Sequence, residues 1–311
     1  MKQYIVNNPQ ALTDTNNRIC DLFDSNKPFS VVRVGNMEGY FLDCFDKNEA
    51  PLGEFYHWLS LTSGVFPHDD NYLKNVWAPI NHEAMINSDI LGFVDISGHI
   101  KANKSFNEKY CKDKFVFYGV DEILALDPGY LVNMDIVNVP CENPWTEKLK
   151  GKRVLVVSSF VESILYQWQN REKIWGDKLE KILPFELVDV IRSPFHPQMD
   201  SRTLPDCDTW DKAAAYLKNK IDDYEYDVLL VSAAALAPTL ADHAKQRGKI
   251  GITICGTLQL YFGIIGARWA GKNPSYTSWP KMYNEYWRWP SEADLPDNKQ
   301  LFDRFEHAYW K

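Results

Sequence analysis

Short apolar runs that do not alternate with polar residues constrain this chain most. "RVLVVSS" (153–159), "DVLLVSA" (227–233), "KIGITICG" (249–256) and "FSVVRVG" (29–35) each hold four or more apolar residues close together. A strand with one face in water reads as strict alternation. A run like these needs cover on both faces, which a parallel sheet flanked by helices supplies. "ILGFVD", "KFVFYG" and "ELVDVIRS" add weaker strand signals.

Helical stretches fall between the strands. "DTWDKAAAYLKNKIDD" places Trp210, Ala214, Leu217 and Ile221 along one stripe, with Asp208 as the expected N-cap. "LAPTLADHAKQRG" has an early Pro, basic residues in its last turn and Gly248 as a stop. "NYLKNVWAPINHEAMINS" reads as a polar helix in the first half. The rhythm is α/β: a Rossmann-like, mostly parallel sheet with helices on both faces. The Pro-containing passage 138–152 divides the chain into an N-terminal lobe (1–148) and a second lobe with an aromatic tail (149–311), expected to form one compact unit.

Bulk properties exclude several classes. The net charge of −8 opposes broad nucleic-acid binding, which needs basic surface. Six scattered Cys contain no CxxC pair, so zinc ribbons and disulfide frameworks are not expected and a reducing cytoplasm fits. "MKQYIVNNPQ" turns polar at once, unlike a signal peptide, and no apolar run approaches the ~20 residues of a membrane span. A cytoplasmic protein, at most peripheral at the inner membrane, is expected. GxGxxG after a strand, the Walker loop, GxSxG and HExxH are all missing from the sequence.

In such sheets ligands bind beyond the carboxyl ends of the strands, where helix starts converge and free N–H groups attract phosphate. This nominates Ser158, Ser159 and Glu162 after one strand, Ala233 and Ala234 after another, and Gly256, Thr257 and Gln259 after a third. Ser159 and Glu162 also match a capping box, S-x-x-E. The run "VVRVGNMEG" adds Arg33, Gly35, Asn36 and Glu38. Arg33 lies on the opposite sheet face from Val32 and Val34 and suits a phosphate or carboxylate, or pairing with Glu38. Gly35 is read as the sharp bend. Asn36 and Glu38 offer two oxygen ligands for a hard cation; a buried Arg–Glu pair is the structural alternative. In "TSGVFPHDD", His68 and Asp70 are ligand or base candidates, with helix capping as the alternative. Trp279, Tyr283, Tyr286, Trp287 and Trp289 in the tail are expected to pack on the sheet, a sugar platform being the other use.

"VVRVGNMEGYF", "TSGVFP", "KRVLVVSSFVESI", "YDVLLVSAAALAPTLADHAKQRGKIGITICGTLQLYFGIIGARW" and "MYNEYWRWPSEADLP" followed by "FEHAYW" occur in this order. Together they resemble the bacterial GT-D type glycosyltransferases over nearly the whole chain, from about Phe29 to Trp310. The resemblance implies a nucleotide-sugar donor, a UDP-sugar, and transfer to a hydroxyl of a glycan, lipid-linked glycan or glycoprotein in surface glycan synthesis. It puts the family's D-x-E motif, associated with metal and donor binding, on Asn36-Met37-Glu38, where an amide replaces the first carboxylate. Mn2+ or Mg2+ is the implied cofactor, on Glu38 and Asn36, and the amide weakens that site. Ala233 to Ala235 stand where the family has glycines, and Cys255 to Gln259 match its "GGATQ" turn in part. Glu38, or less directly Asp70, is the expected catalytic residue. A non-catalytic protein that binds nucleotide sugars or polysaccharide is the alternative.

Overall fold

The computed structural model describes residues 3–5, 9–94, 99–118, 124–127, 130–132, 138–194, 204, 207–270, 282–296 and 310. Eleven strands lie in these residues. They are β1 (Gln3–Ile5), β2 (Ser30–Val34), β3 (Ile90–Phe93), β4 (Phe115–Tyr118), β5 (Leu124–Asp127), β6 (Tyr130–Val132), β7 (Asn138–Pro140), β8 (Arg153–Ser158), β9 (Glu186–Arg192), β10 (Val228–Ser232) and β11 (Ile250–Thr253). Eight of them form one sheet in the order β1-β4-β3-β2-β11-β10-β8-β9, and every pairing in it is parallel. With helices on both faces, the fold is α/β and Rossmann-like. A separate antiparallel ribbon joins β5, β6 and β7. Neither β1 nor this ribbon is legible in the sequence, because three or four residues carry too little pattern. β2 pairs with β11, so the two halves of the chain share one sheet.

The apolar runs are buried on both faces, as their composition requires. Val154, Val156, Val228, Leu230 and Ile252 face one core, and Leu155, Val157, Leu229, Val231, Val32 and Val34 face the other. The first core is closed by helix α1 (Pro9–Asp24), by α5 (Val161–Gln169), by the chain after β11 and by Trp287 of the tail. The second is closed by α2 (Asn36–Asp46), α3 (Gly53–Ser63), α4 (Ala78–Asn87), α6 (Trp210–Asp222) and α7 (Ala237–Gln246). α7 lies close on the sheet: a Cβ at Gly251 would collide with the backbone carbonyl of Ala241. That contact is open only to glycine.

α6 starts at Trp210 behind Thr209, and neither its N-cap side chain nor Asp208 caps it. Asp208 instead pairs with Lys212 at 2.5 Å, one turn on. α7 opens with Pro238 in its first turn and carries His243 and Lys245 in its last. The helix ends at Gln246, and Gly248 just beyond it has a φ of +78°, in the left-handed region.

This layering creates the crevice. After β8 and β11 the chain turns to the first face; after β10 and β2 it turns to the second. In space these exits alternate along the sheet edge, β8, β10, β11, β2. In open parallel sheets, chain segments that lean apart from neighbouring strands are where ligands bind above the strand ends.

Candidate active site

The exits of β2 and β11 are direct neighbours: Gly251 pairs with Ser30 and Ile252 with Val31. Two residues further on, Arg33 reaches across and its Nη1 donates to Cys255 Sγ at 3.3 Å. Val32 and Val34 belong to the second core, so strand alternation turns Arg33 to the first face. Beside it in register are Gly92 of β3 and Phe117 of β4. Without a side chain at Gly92, the Phe117 ring lies where that Cβ would be.

Cys255 takes φ +59°, a left-handed conformation, directly after Ile254 at φ −109°, ψ −19°. Successive right- and left-handed residues can point N–H groups into one concavity, which favours anions; here the Ile254 N–H is taken by the Val231 carbonyl at 2.9 Å. At the exit of β10, Ala234 also takes a positive φ, +44°, after Ala233 at φ −141°, ψ 38°. Left-handed backbone costs a non-glycine residue about 1–2 kcal/mol. Both strained positions lie at strand exits, the second of them in the turn that the family resemblance assigns to glycines.

Gly35, Asn36 and Glu38 form the start of α2. Gly35 is its N-cap at φ −68°, ψ 170°, an extended conformation open to any residue. The bend therefore does not require glycine, and the space beside Gly35 is taken by the Glu38 carboxylate. A Cβ on Gly35 would overlap Glu38 Oε2 and stand 2.8 Å from Oε1. Glu38 is 9% exposed and folds back over the helix start, where the helix dipole favours its charge. Asn36 and Glu38 are the first and third residues of the helix that follows β2. A helix turns about 100° per residue, so these side chains point roughly 200° apart. Among the described residues no group of three His, Cys, Asp or Glu is placed to hold a metal ion. Asn36 and Glu38 would offer one amide oxygen and one carboxylate to a hard cation.

The β8 exit departs most from expectation. Ser158 is aligned with Ser232 of β10 and Arg192 of β9, and its Oγ accepts from the Phe160 N–H at 3.2 Å. The capping box of Ser159 and Glu162 is not formed. α5 begins at Val161 behind Phe160, with no side-chain cap from that residue. Its cap comes from the tail: the N–H groups of Glu162 and Ser163 donate to Asp294 Oδ1 and Oδ2 at 3.0 and 2.7 Å. Asp294 is fully buried and also accepts from Arg192 Nη1 at 3.3 Å. Arg192 donates as well to the Ser159 carbonyl at 3.1 Å and lies 3.7 Å from the half-exposed Glu162. An internal carboxylate thus occupies the helix start proposed from sequence as a phosphate seat. Sequence reading passes over Arg192 and Asp294. The one available signal is that "DVIRS" ends an apolar strand on an Arg, as "VVRVG" nearly does.

The remaining candidates separate. Gln259 is buried; its amide donates to the Ile264 carbonyl at 3.4 Å and its own carbonyl accepts from the Ile264 N–H at 3.0 Å, which closes the turn after β11. Thr257 is buried, with Oγ1 donating to the Ile254 carbonyl at 3.2 Å. Gly256 lies between Cys255 and Thr257 in the 3-10 turn. Asp70 is exposed, accepts from the Tyr56 hydroxyl and lies 3.7 Å from Lys74. Desolvation and then Asp70 push the Tyr56 phenol upward. Asp69 provides the cap there, accepting from the Tyr72 N–H at 2.9 Å. Trp287 is buried, Tyr283 and Tyr286 pack on the first core, and Trp289 is half-buried; Trp279 lies outside the described residues. Among the described residues no helix is long and apolar enough to cross a membrane.

No family model matches the chain, and no curated protein matches it. Two solved structures are similar in overall course. One is a glycosyltransferase (DUF1792) from Streptococcus sanguinis, 10% identical, with 97% of each chain covered and a TM-score of 0.43. The other is a selenomethionine-substituted domain of unknown function 1792, 11% identical, covering 94% of this chain and 92% of that one, with a TM-score of 0.42. At this identity the likeness concerns the course of the chain and assigns no residue a role.

Proposed function

We propose that the protein is a glycosyltransferase that moves a sugar from a nucleotide-sugar donor, a UDP-sugar, to an acceptor hydroxyl. One observation supports the reading: a guanidinium and a left-handed backbone turn stand together at neighbouring strand exits, and the helix that follows the first of these strands carries a buried glutamate in its first turn. The diphosphate would lie on the turn Cys255–Thr257. In transfer the acceptor oxygen bonds to the anomeric carbon as the bond from that carbon to the phosphate oxygen breaks, and negative charge grows on the leaving diphosphate. Arg33 would offset that charge, as preorganised cations do in group transfer. Glu38 would take the acceptor proton, within the 10²–10⁴-fold range typical of a positioned base. A divalent cation, if bound by Asn36 and Glu38, would add charge compensation on the same diphosphate.

The test is donor turnover with a panel of UDP-sugars, with and without Mn2+ or Mg2+, in the presence of candidate glycan acceptors. UDP release supports the proposal. Saturable UDP binding with no release under any condition replaces it with a non-catalytic nucleotide-sugar binding protein. No binding of UDP removes both.

A further inference from the structure

We propose that residues 282–296 form a releasable latch, fastened by Asp294, and that the chain carries a second cap for α5 that takes over when the latch opens. Trp287 packs in the first core, Gln167 Nε2 donates to the Tyr286 carbonyl at 3.0 Å, the Tyr283 hydroxyl donates to the Trp269 carbonyl at 3.1 Å, and further polar contacts hold the segment to the first face. Asn284 Nδ2 donates to the Ile174 carbonyl at 3.0 Å. Arg288 and the turn after β11 exchange hydrogen bonds: the Ile265 N–H donates to the Arg288 carbonyl at 2.7 Å, and the Arg288 N–H to the Gly263 carbonyl at 3.1 Å. The Ser291 N–H donates to Ser163 Oγ at 2.8 Å. Asp294 then caps α5 and pairs with Arg192. The segment therefore ties the turn after β11 to the start of α5.

A helix capped from 132 positions away loses its cap whenever the distant segment leaves. The local sequence already contains a replacement. With Ser159 as N-cap, the helix starts one residue earlier at Phe160, and Glu162 becomes its third residue, the spacing of a capping box. Ser159 Oγ then accepts from the Glu162 N–H, and the Ser159 carbonyl, now held by Arg192, accepts from the Ser163 N–H. The same two amides that Asp294 holds are satisfied by either arrangement. Two discrete packings of one element are what a switch requires. The buried Asp294–Arg192 pair favours the closed state, and loss of one partner of a buried pair opens it.

Amide hydrogen exchange on the full chain tests this without any nucleotide, so the outcome is independent of the proposed transfer reaction. In Asp294→Asn, exchange at Ile265 and Arg288 is expected to rise at least tenfold, while Glu162 and Ser163 stay protected within about threefold. Adding Ser159→Ala and Glu162→Ala is expected to expose Glu162 and Ser163 as well; either addition in the wild-type background changes their exchange less than threefold. The inference is overturned if Glu162 and Ser163 lose protection in Asp294→Asn alone, or if Ile265 and Arg288 do not change. Should the variants fail to fold, exchange of the wild-type protein in sub-denaturing urea decides. Ile265 and Arg288 opening at lower urea than Ser163 supports the latch; all three opening together overturns it.

Discussion

Two exits of the same sheet, β2 with β11 and β8 with β9, meet the same electrostatic problem differently. Each presents an arginine near the end of an apolar strand beside the start of a helix. At the β8–β9 exit the positive field is answered from afar: Asp294 of the tail fills the helix start and pairs with Arg192. At the β2–β11 exit Arg33 meets a cysteine in a left-handed turn, and α2 carries its own carboxylate, Glu38, folded onto Gly35 in its first turn. A strand-end arginine is therefore not by itself a ligand site. Among the described residues, the β8–β9 exit has its helix start filled by an anion from a distant segment, whereas α2 carries a carboxylate in its own first turn.

The largest expected effect is on chemistry at the β2–β11 exit. Glu38→Gln should lower sugar transfer at least about tenfold, given the 10²–10⁴-fold range of a positioned base. Full activity in that variant would remove Glu38 from the mechanism. Next is donor affinity. Arg33→Ala should weaken UDP binding by about tenfold to a hundredfold, the equivalent of one hydrogen bond to a charged group. Arg192→Ala should leave UDP affinity within about twofold. Calorimetric titration of the two variants checks the contrast directly, and equal losses would break it.

Acid sensitivity is expected to lie away from both exits. His82 stacks on Tyr110 with ring centroids 4.6 Å apart, and burial, then Lys109, lower its pKa to about 4. Its folded value lies below its unfolded value near 6.5, so the unfolded chain binds more protons between those limits. This contribution to stability is present above about pH 6.5 and is lost as pH falls toward about 4. His82→Gln should flatten that part of a stability–pH curve measured by urea unfolding. An unchanged slope would remove His82 from the acid sensitivity.

The smallest effect concerns strain. Ala234→Gly should raise stability by up to about 1 kcal/mol, because relief of the left-handed conformation exceeds glycine's entropic cost. Thermal unfolding checks it. A lower melting temperature would mean that the Ala234 methyl packs for more than its backbone costs.

Several elements were legible from local pattern because their causes are local. The strands from Arg153 and Val228 announce themselves as doubly buried runs, and α7 by its Pro and its basic last turn. The opposite facing of Arg33 and Val32 follows from strand alternation alone. Other readings failed where the cause was a neighbour. Gly35 looked like a bend and is a space filled by Glu38. Ser159 and Glu162 looked like a cap, yet Asp294 supplies it.

By itself the sequence determined a parallel sheet covered on both faces, and the placing of polar residues at its strand ends. Burial preference and side-chain periodicity act over a few residues, so they can be read without coordinates. Only the tertiary structure decided that β2 lies beside β11, which brings Arg33 to Cys255, and that the tail returns to α5. Parallel strands pair through backbone groups that every residue shares. The choice of partner is therefore written in the packing of the whole molecule and not in any single segment.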